Sequence, residues 1–360
     1  MDRRPDRVAA LRAAMTEAQI DALLVVSLPN IRYLTGFSGS SGMLLVTPAA
    51  LSFVTDFRYQ TQVAEELRPD VSVTIEPQSL WTGLWKLLPS MNVTVVGFES
   101  AHLLYRDFQR FGENGARWHW RPTVDLVEKL RERKDPDEVA AIAEAAAVAG
   151  RALERVIPGL REGMRELEVA GFLEKALRDE GSEGFPFPTI VASGARAALP
   201  HARSSRKRIA RGELLLLDYG AEVRGYCADI TRTVVLGPPT AEQRELYDIV
   251  REANARASRD VRAGMLGKDA DAIARGYIER HGWGDAFGHS LGHGLGLEVH
   301  EAPRLARTAD VPLAAGAVVT IEPGIYREGW GGIRIEDDVH LDADGPRVLT
   351  HFTRELLAVA

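Results

Sequence analysis

A chain of 360 residues, 45% hydrophobic and 26% charged, is too long for one small core, and none of its apolar runs is long enough to cross a bilayer. Its formal net charge of −7 argues against a nucleic-acid partner, which needs a concentrated basic surface. A single cysteine, Cys227, excludes an internal disulfide and a thiolate metal cluster, and fits a reducing, cytoplasmic setting.

The arginine-rich start is not expected to act as a secretory signal, because Arg12 interrupts its apolar part. Residues 1–125 then alternate apolar runs with amphipathic stretches. Strands are expected at ALLVVS from Ala22, GMLLVT from Gly42, LSFVT from Leu51 and VTVVGF from Val93, with helical segments over 57–67 and 79–88. This is the alternation of an α/β domain. A charged linker over 126–135 closes on Asp135-Pro136, where Asp135 is placed to cap a helix beginning at Pro136. Residues 136–360 read as a second domain. Its helices fall over 136–157 and 165–180, and its strands near 189–192, 213–219 and 225–236. The order recurs, with helices over 241–261 and 269–281 and strands near 296–299, 317–322 and 332–339. Such a repeat implies a degenerate duplication whose two half-sheets meet at a ligand site. The basic run over 203–211 reads as a solvated turn.

Four strand-like segments, LLLLDYG, CADITRT, TIEPGIY and IRIEDDV, carry carboxylates where a buried strand is normally apolar. Singly, each has an ordinary explanation: Asp218 caps a turn, Asp229 pairs with an arginine, or Glu322 ends a strand before Pro323-Gly324. Together they mark an internal ionic centre, since a buried carboxylate is costly unless paired or metal-bound. Strand alternation puts Asp229, Thr231 and Thr233 on one face, and likewise Arg334 and Glu336. The segment GHSLGHGLGLEVHEAP adds His289, His293 and His300 among glycines that disfavour a helix. Ser290 stands where a helical HExxH zinc pair would need glutamate. His289 stays open between ligand and structural residue, whereas His102, His119, His281, His340 and His351 read as structural. One histidine with four carboxylates is too oxygen-rich for a single zinc site and suits two divalent ions. Ions about 3.5–4 Å apart share bridging carboxylates and hold a nucleophilic hydroxide. Neither a GxSxG elbow nor an evident partner for Cys227 offers a competing nucleophile.

These motifs resemble the pita-bread metallopeptidases, specifically their Xaa-Pro branch of aminopeptidase P and prolidase. The resemblance runs through NIRYLTGFSGSSG, TDFRY, IVASGARAALPHARSS, DYG, DITRT, GHGLGLEVHEAP, IEPGIY and IRIED. It implies an α/β creatinase-like N-terminal domain and an α+β pita-bread catalytic domain with pseudo-twofold duplicated halves. It also implies that Asp218 chelates one metal, that His293 and Glu322 hold the other, and that Asp229 and Glu336 bridge them. By the same resemblance Glu322 handles a proton, His201 lies near the proline side of the scissile bond and His300 hydrogen-bonds substrate. Arg334 supports the site through its neighbours. The implied cofactor is two divalent ions per chain, Mn2+ ahead of Co2+ or Zn2+. The implied partners are short proline-containing peptides and a second copy in a homodimer, with no nucleic acid or membrane.

GFSGSSG, TDFRY and SGARAALPH resemble short aminopeptidase P chains, which makes that activity the expectation. Prolidase, which must read the dipeptide's carboxylate with a cation, is the alternative. A methionine aminopeptidase, generally without the front domain, and a catalytically silent protein on the same fold are remoter.

Overall fold

The structure, a computed structural model, describes residues 2–359 and divides into two compact units, Met1–Arg131 and Glu132–Ala360. The first contains α1 (Arg4–Glu17), β1 (Ala22–Val25), α2 (Leu28–Thr35), β2 (Met43–Val46), β3 (Leu51–Thr55) and α3 (Gln60–Glu66). It continues through β4 (Val71–Ile75), α4 (Leu80–Leu87), β5 (Val95–Glu99), α5 (Tyr105–Asn114), β6 (His119–Thr123) and α6 (Glu128–Arg131). The strands form one mixed sheet in the order β4-β3-β2-β1-β5-β6. β1, β2 and β3 are buried along their whole length, which is why they read as continuous apolar runs. The edge strands β4 and β6 escape sequence detection. β4 leaves the core after Val71, and β6 is mostly exposed and contains Pro122, which an edge tolerates.

The second unit opens with α7 (Pro136–Val156). Asp135 accepts hydrogen bonds from the amides of Asp137 and Glu138, and Glu138 returns one to the amide of Asp135. This capping box, with Pro136 preset at the first helical position, satisfies donors that the first turn leaves open. α8 (Glu166–Asp179) follows, and both helices pack on β7 (Ile190–Ser193), β8 (Leu214–Val223) and β9 (Tyr226–Leu236). Leu153, Leu173 and Leu177 meet Leu215, Leu217 and Ile230 in that core. The pattern then repeats. α9 (Ala241–Asp260) and α10 (Gly267–Arg280) pack on a second antiparallel sheet of β10 (Gly292–Gly294), β11 (Glu301–Leu305), β12 (Val318–Ile321), β15 (Asp337–Asp342) and β16 (Gly345–Val348). Between them lie the hairpin strands β13 (Gly324–Arg327) and β14 (Gly331–Arg334), and β17 (Ala358–Val359) ends the chain beside β9. Two helices on a largely antiparallel sheet therefore occur twice, as the duplication reading expects.

Two expectations fail. The strand expected over 296–299 is a loop, and the strand lies instead over Gly292–Gly294. A Cβ on Gly292 would stand 1.9 Å from the Thr320 carbonyl, and one on Gly294 2.0 Å from that of Ala302. These glycines permit close backbone packing rather than marking a loop. The strand expected over 332–339 is also broken, because residues 335 and 336 belong to neither β14 nor β15. Among the described residues no helix is long and apolar enough to cross a membrane.

Replacing Asp135 by alanine is expected to lower stability by about 1 kcal/mol, the usual worth of a helix N-cap. Urea denaturation reads this directly, and an unchanged midpoint would contradict the cap.

Candidate metal centre

β8 and β9 pair antiparallel with Asp218 opposite Thr231, inside apolar stretches that bury both. The polar face of β9 meets the end of β14. Thr231 Oγ1 donates to Glu336 Oε2 at 2.6 Å, Arg334 Nε donates to Thr231 Oγ1 at 3.0 Å, and Thr233 Oγ1 donates to the Arg334 carbonyl at 3.1 Å. The Glu336 amide donates to the Thr231 carbonyl at 3.1 Å, so the break after β14 joins the two half-sheets here. The faces inferred from strand alternation are the ones in contact.

His293, on β10, faces these carboxylates. Its Nδ1 lies 3.0 Å from the Gly294 carbonyl, which requires the proton there and leaves the Nε2 lone pair inward. Nε2 is 3.6 Å from Glu322 Oε1 and 3.8 Å from Asp229 Oδ2. Asp229, His293 and Glu336 each offer one ligand atom, and these atoms lie within 4.8 Å of one another. Asp218 stands outside this trio, its Oδ2 accepting from Arg334 Nη2 at 2.5 Å. Burial, then the charges of Glu336 and Asp218, push Asp229 well above the usual carboxylate range. Burial and Glu336 do the same to Glu322. Burial, with Asp218 nearby, raises Glu336 to about 7. Burial raises Asp218 too, against the opposing pull of Arg334. Burial also lowers His293 to about 4, which keeps it in the neutral form that ligates metal. Among the described residues, Asp229 Oδ1 is buried without a hydrogen-bond partner. An oxygen-rich set of mutually repelling carboxylates, a neutral imidazole and an orphaned carboxylate oxygen fit divalent cations.

Among the remaining predicted residues, His201 is exposed but close enough for its charge to act on Asp218. His300 is exposed, with its ring centroid 4.4 Å from that of His293. Arg334 is buried and bonds Asp218, Thr231 and the Tyr326 hydroxyl. His289 is occupied: Nδ1 faces the Ser290 carbonyl at 2.8 Å and Nε2 the Tyr326 hydroxyl at 2.8 Å. The segment carrying it is braced from α10. Arg275 pairs with Asp271 and donates to the carbonyls of Phe287 and His289, and Asp271 accepts from the Leu291 amide. Of the histidines read as structural, His102 bonds Glu128 and His281 the Tyr277 carbonyl. Sequence reasoning missed Tyr326, although it ends the IEPGIY motif, and Arg304. Arg304 lies on β11 opposite His293, is exposed and makes no ion pair among the described residues. After burial, its charge is the next influence holding His300 below its ordinary value.

Residues 140–343 match the model of metallopeptidase family M24, and residues 7–133 that of the creatinase/prolidase N-terminal domain. The chain belongs to metallopeptidase family M24. This M24 chain is 38% identical to the Xaa-Pro dipeptidase of Pyrococcus furiosus, over 98% of its own length and 99% of the relative's. It superposes on a structure titled Xaa-Pro dipeptidase from Bacillus anthracis with a TM-score of 0.95 and 39% identity, covering 99% of this chain and 100% of that one. An X-Pro aminopeptidase structure from Thermotoga maritima gives 0.91 and 38%, covering 98% and 99%. The fold is a creatinase-type N-terminal domain with an M24 pita-bread catalytic domain, as the sequence resemblance implied.

Without metal, Glu336 keeps its proton to about pH 7 when folded, whereas an ordinary glutamate loses it at 4.5. The folded state then binds more protons in that interval, so stability falls as pH rises from 4.5 to about 7. Metal-stripped wild type is expected to lose melting temperature across this window relative to Glu336→Gln, which lacks the titration. Parallel melting profiles would contradict the raised value.

Proposed function

We propose that this M24 protein is an Xaa-Pro dipeptidase, a prolidase, working with two divalent ions held by Asp218, Asp229, His293, Glu322 and Glu336. The comparisons favour prolidase over the aminopeptidase P expected from GFSGSSG, TDFRY and SGARAALPH. The Pyrococcus and B. anthracis relatives carry the dipeptidase name, against the Thermotoga structure named an aminopeptidase. The observation that carries the choice is Arg304, a guanidinium without an ion-pair partner among the described residues, across the strand pair from His293. A free guanidinium beside the reacting centre suits the carboxylate that only a dipeptide presents there.

Divalent cations at this centre supply Lewis acidity to the scissile carbonyl and make water nucleophilic near neutral pH. Glu322 takes the proton of the attacking water and passes it to the proline nitrogen, which has no hydrogen of its own in the peptide. His300 donates to the carbonyl oxygen as negative charge develops there, and His201 lines the proline side. Arg334 holds Asp218 directly and Glu336 through Thr231. Manganese is the metal best suited to so oxygen-rich a donor set. A cytoplasmic homodimer acting on short peptides completes the proposal.

Manganese-reloaded enzyme is expected to cleave Ala-Pro faster than Ala-Pro-Ala and to spare Ala-Ala and Met-Ala. Preference for the tripeptide would return the assignment to aminopeptidase P, and cleavage of the controls alone would remove the proline reading. Arg304→Ala is expected to raise KM for Ala-Pro by about ten- to a hundredfold, the worth of one charged hydrogen-bonding pair, with a much smaller effect on Ala-Pro-Ala. Glu322→Ala is expected to fold normally without measurable turnover, and an active variant would sink the proton-transfer role.

A further inference from the structure

Lys134 belongs to the charged stretch that the sequence presents as a linker, yet its side chain is 1% exposed. Its amide donates to the Gly316 carbonyl at 2.9 Å, and its Nζ lies 3.4 Å from Oε2 of Glu301, a carboxylate only 6% exposed. The other oxygen, Glu301 Oε1, accepts from the Glu298 amide at 2.9 Å. Glu301 therefore clamps the loop 295–300 from its far end. The near end is fixed as well, by Leu295 to the Val318 carbonyl at 3.1 Å and by the Cys227 amide to the Gly296 carbonyl at 2.7 Å. Gly296 leaves the room: a Cβ there would stand 3.0 Å from both Glu301 oxygens and 3.1 Å from Lys134 Cε.

The last residue of this loop is His300. Its exposed ring touches His293 but makes no hydrogen bond among the described residues. With nothing gripping the ring, its position is set by its backbone, which runs directly into Glu301. Burying an ammonium and a carboxylate is often neutral or worse for stability than apolar residues of the same volume, so such a pair is better explained by the geometry it enforces. We infer that the buried Lys134–Glu301 pair is a positioning device that holds His300 over the reacting centre. This rests on the peptidase reading above, with Lys134 and Glu301 acting through His300 and not touching substrate.

The test uses the full chain with Lys134→Met/Glu301→Met, which removes both charges and leaves none unpaired, and with Lys134→Arg, which keeps the pair. The double variant is expected to keep the native circular dichroism and melt near wild type. Its kcat on Ala-Pro should nevertheless fall about ten- to a hundredfold, the scale of a small misplacement of a reacting group, while Lys134→Arg retains most of the activity. In metal-free protein, the His300 ring signal, identified by its loss in His300→Ala, should shift or broaden in the double variant while that of His281 stays in place. A folded double variant with wild-type kcat, lost turnover with an unmoved His300 signal, or failure of the double variant to fold would each overturn the inference. If wild type cleaves no Xaa-Pro peptide, the peptidase reading fails, and the ring signal still decides whether the pair places His300.

Discussion

Four carboxylates, from Asp218, Asp229, Glu322 and Glu336, are gathered in the interior of one unit with a single guanidinium, that of Arg334, bonded among them. Like charges brought together out of water repel strongly, and burial first, then that repulsion, raises the proton affinities of Asp229, Glu322 and Glu336. A fold that accepts this has either to protonate the group or to supply cations. The same repulsion explains the polar threonines on β9, which donate to Glu336 and to the Arg334 carbonyl where apolar side chains would otherwise sit. Burial keeps His293 neutral, with its proton directed to the Gly294 carbonyl and its lone pair left for the centre.

The duplicated architecture solves the placement. Asp218 and Asp229 come from the first half-sheet, and His293, Glu322 and Glu336 from the second half. The hydrogen bonds from Thr231 and Thr233 to the end of β14 close the seam between them. Arg334 spans the seam, with one nitrogen on Asp218 and another on Thr231. Glycines at 292 and 294 let β10 approach its neighbours closely enough for His293 to reach the carboxylates. The arrangement of this centre therefore depends on residues that bear no charge as much as on the acidic ones.

Much of this was legible in the sequence because the signals were local. Central strands appear as unbroken apolar runs, Asp135-Pro136 announces its helix, and an aspartate inside LLLLDYG is conspicuous against its neighbours. What escaped depends on partners distant in sequence. β4 and β6 bury too little to leave a pattern, and the glycines of β10 suggest a loop unless the opposing Thr320 and Ala302 carbonyls are known. Arg304 acquires meaning only from its register opposite His293, beside an irregularity between His293 and Gly294 that no spacing rule predicts. Lys134 looks like one more linker charge until its burial against Glu301 is seen. The dipeptidase proposal rests on both that register and the relatives.

The central claim is that these residues form a two-metal centre, and anomalous diffraction from manganese-reloaded crystals tests it most directly. The account predicts two anomalous peaks about 3.5–4 Å apart, the spacing of two-metal hydrolytic sites, with Asp229 and Glu336 lying between them. A single peak, or peaks away from His293 and these carboxylates, would contradict it.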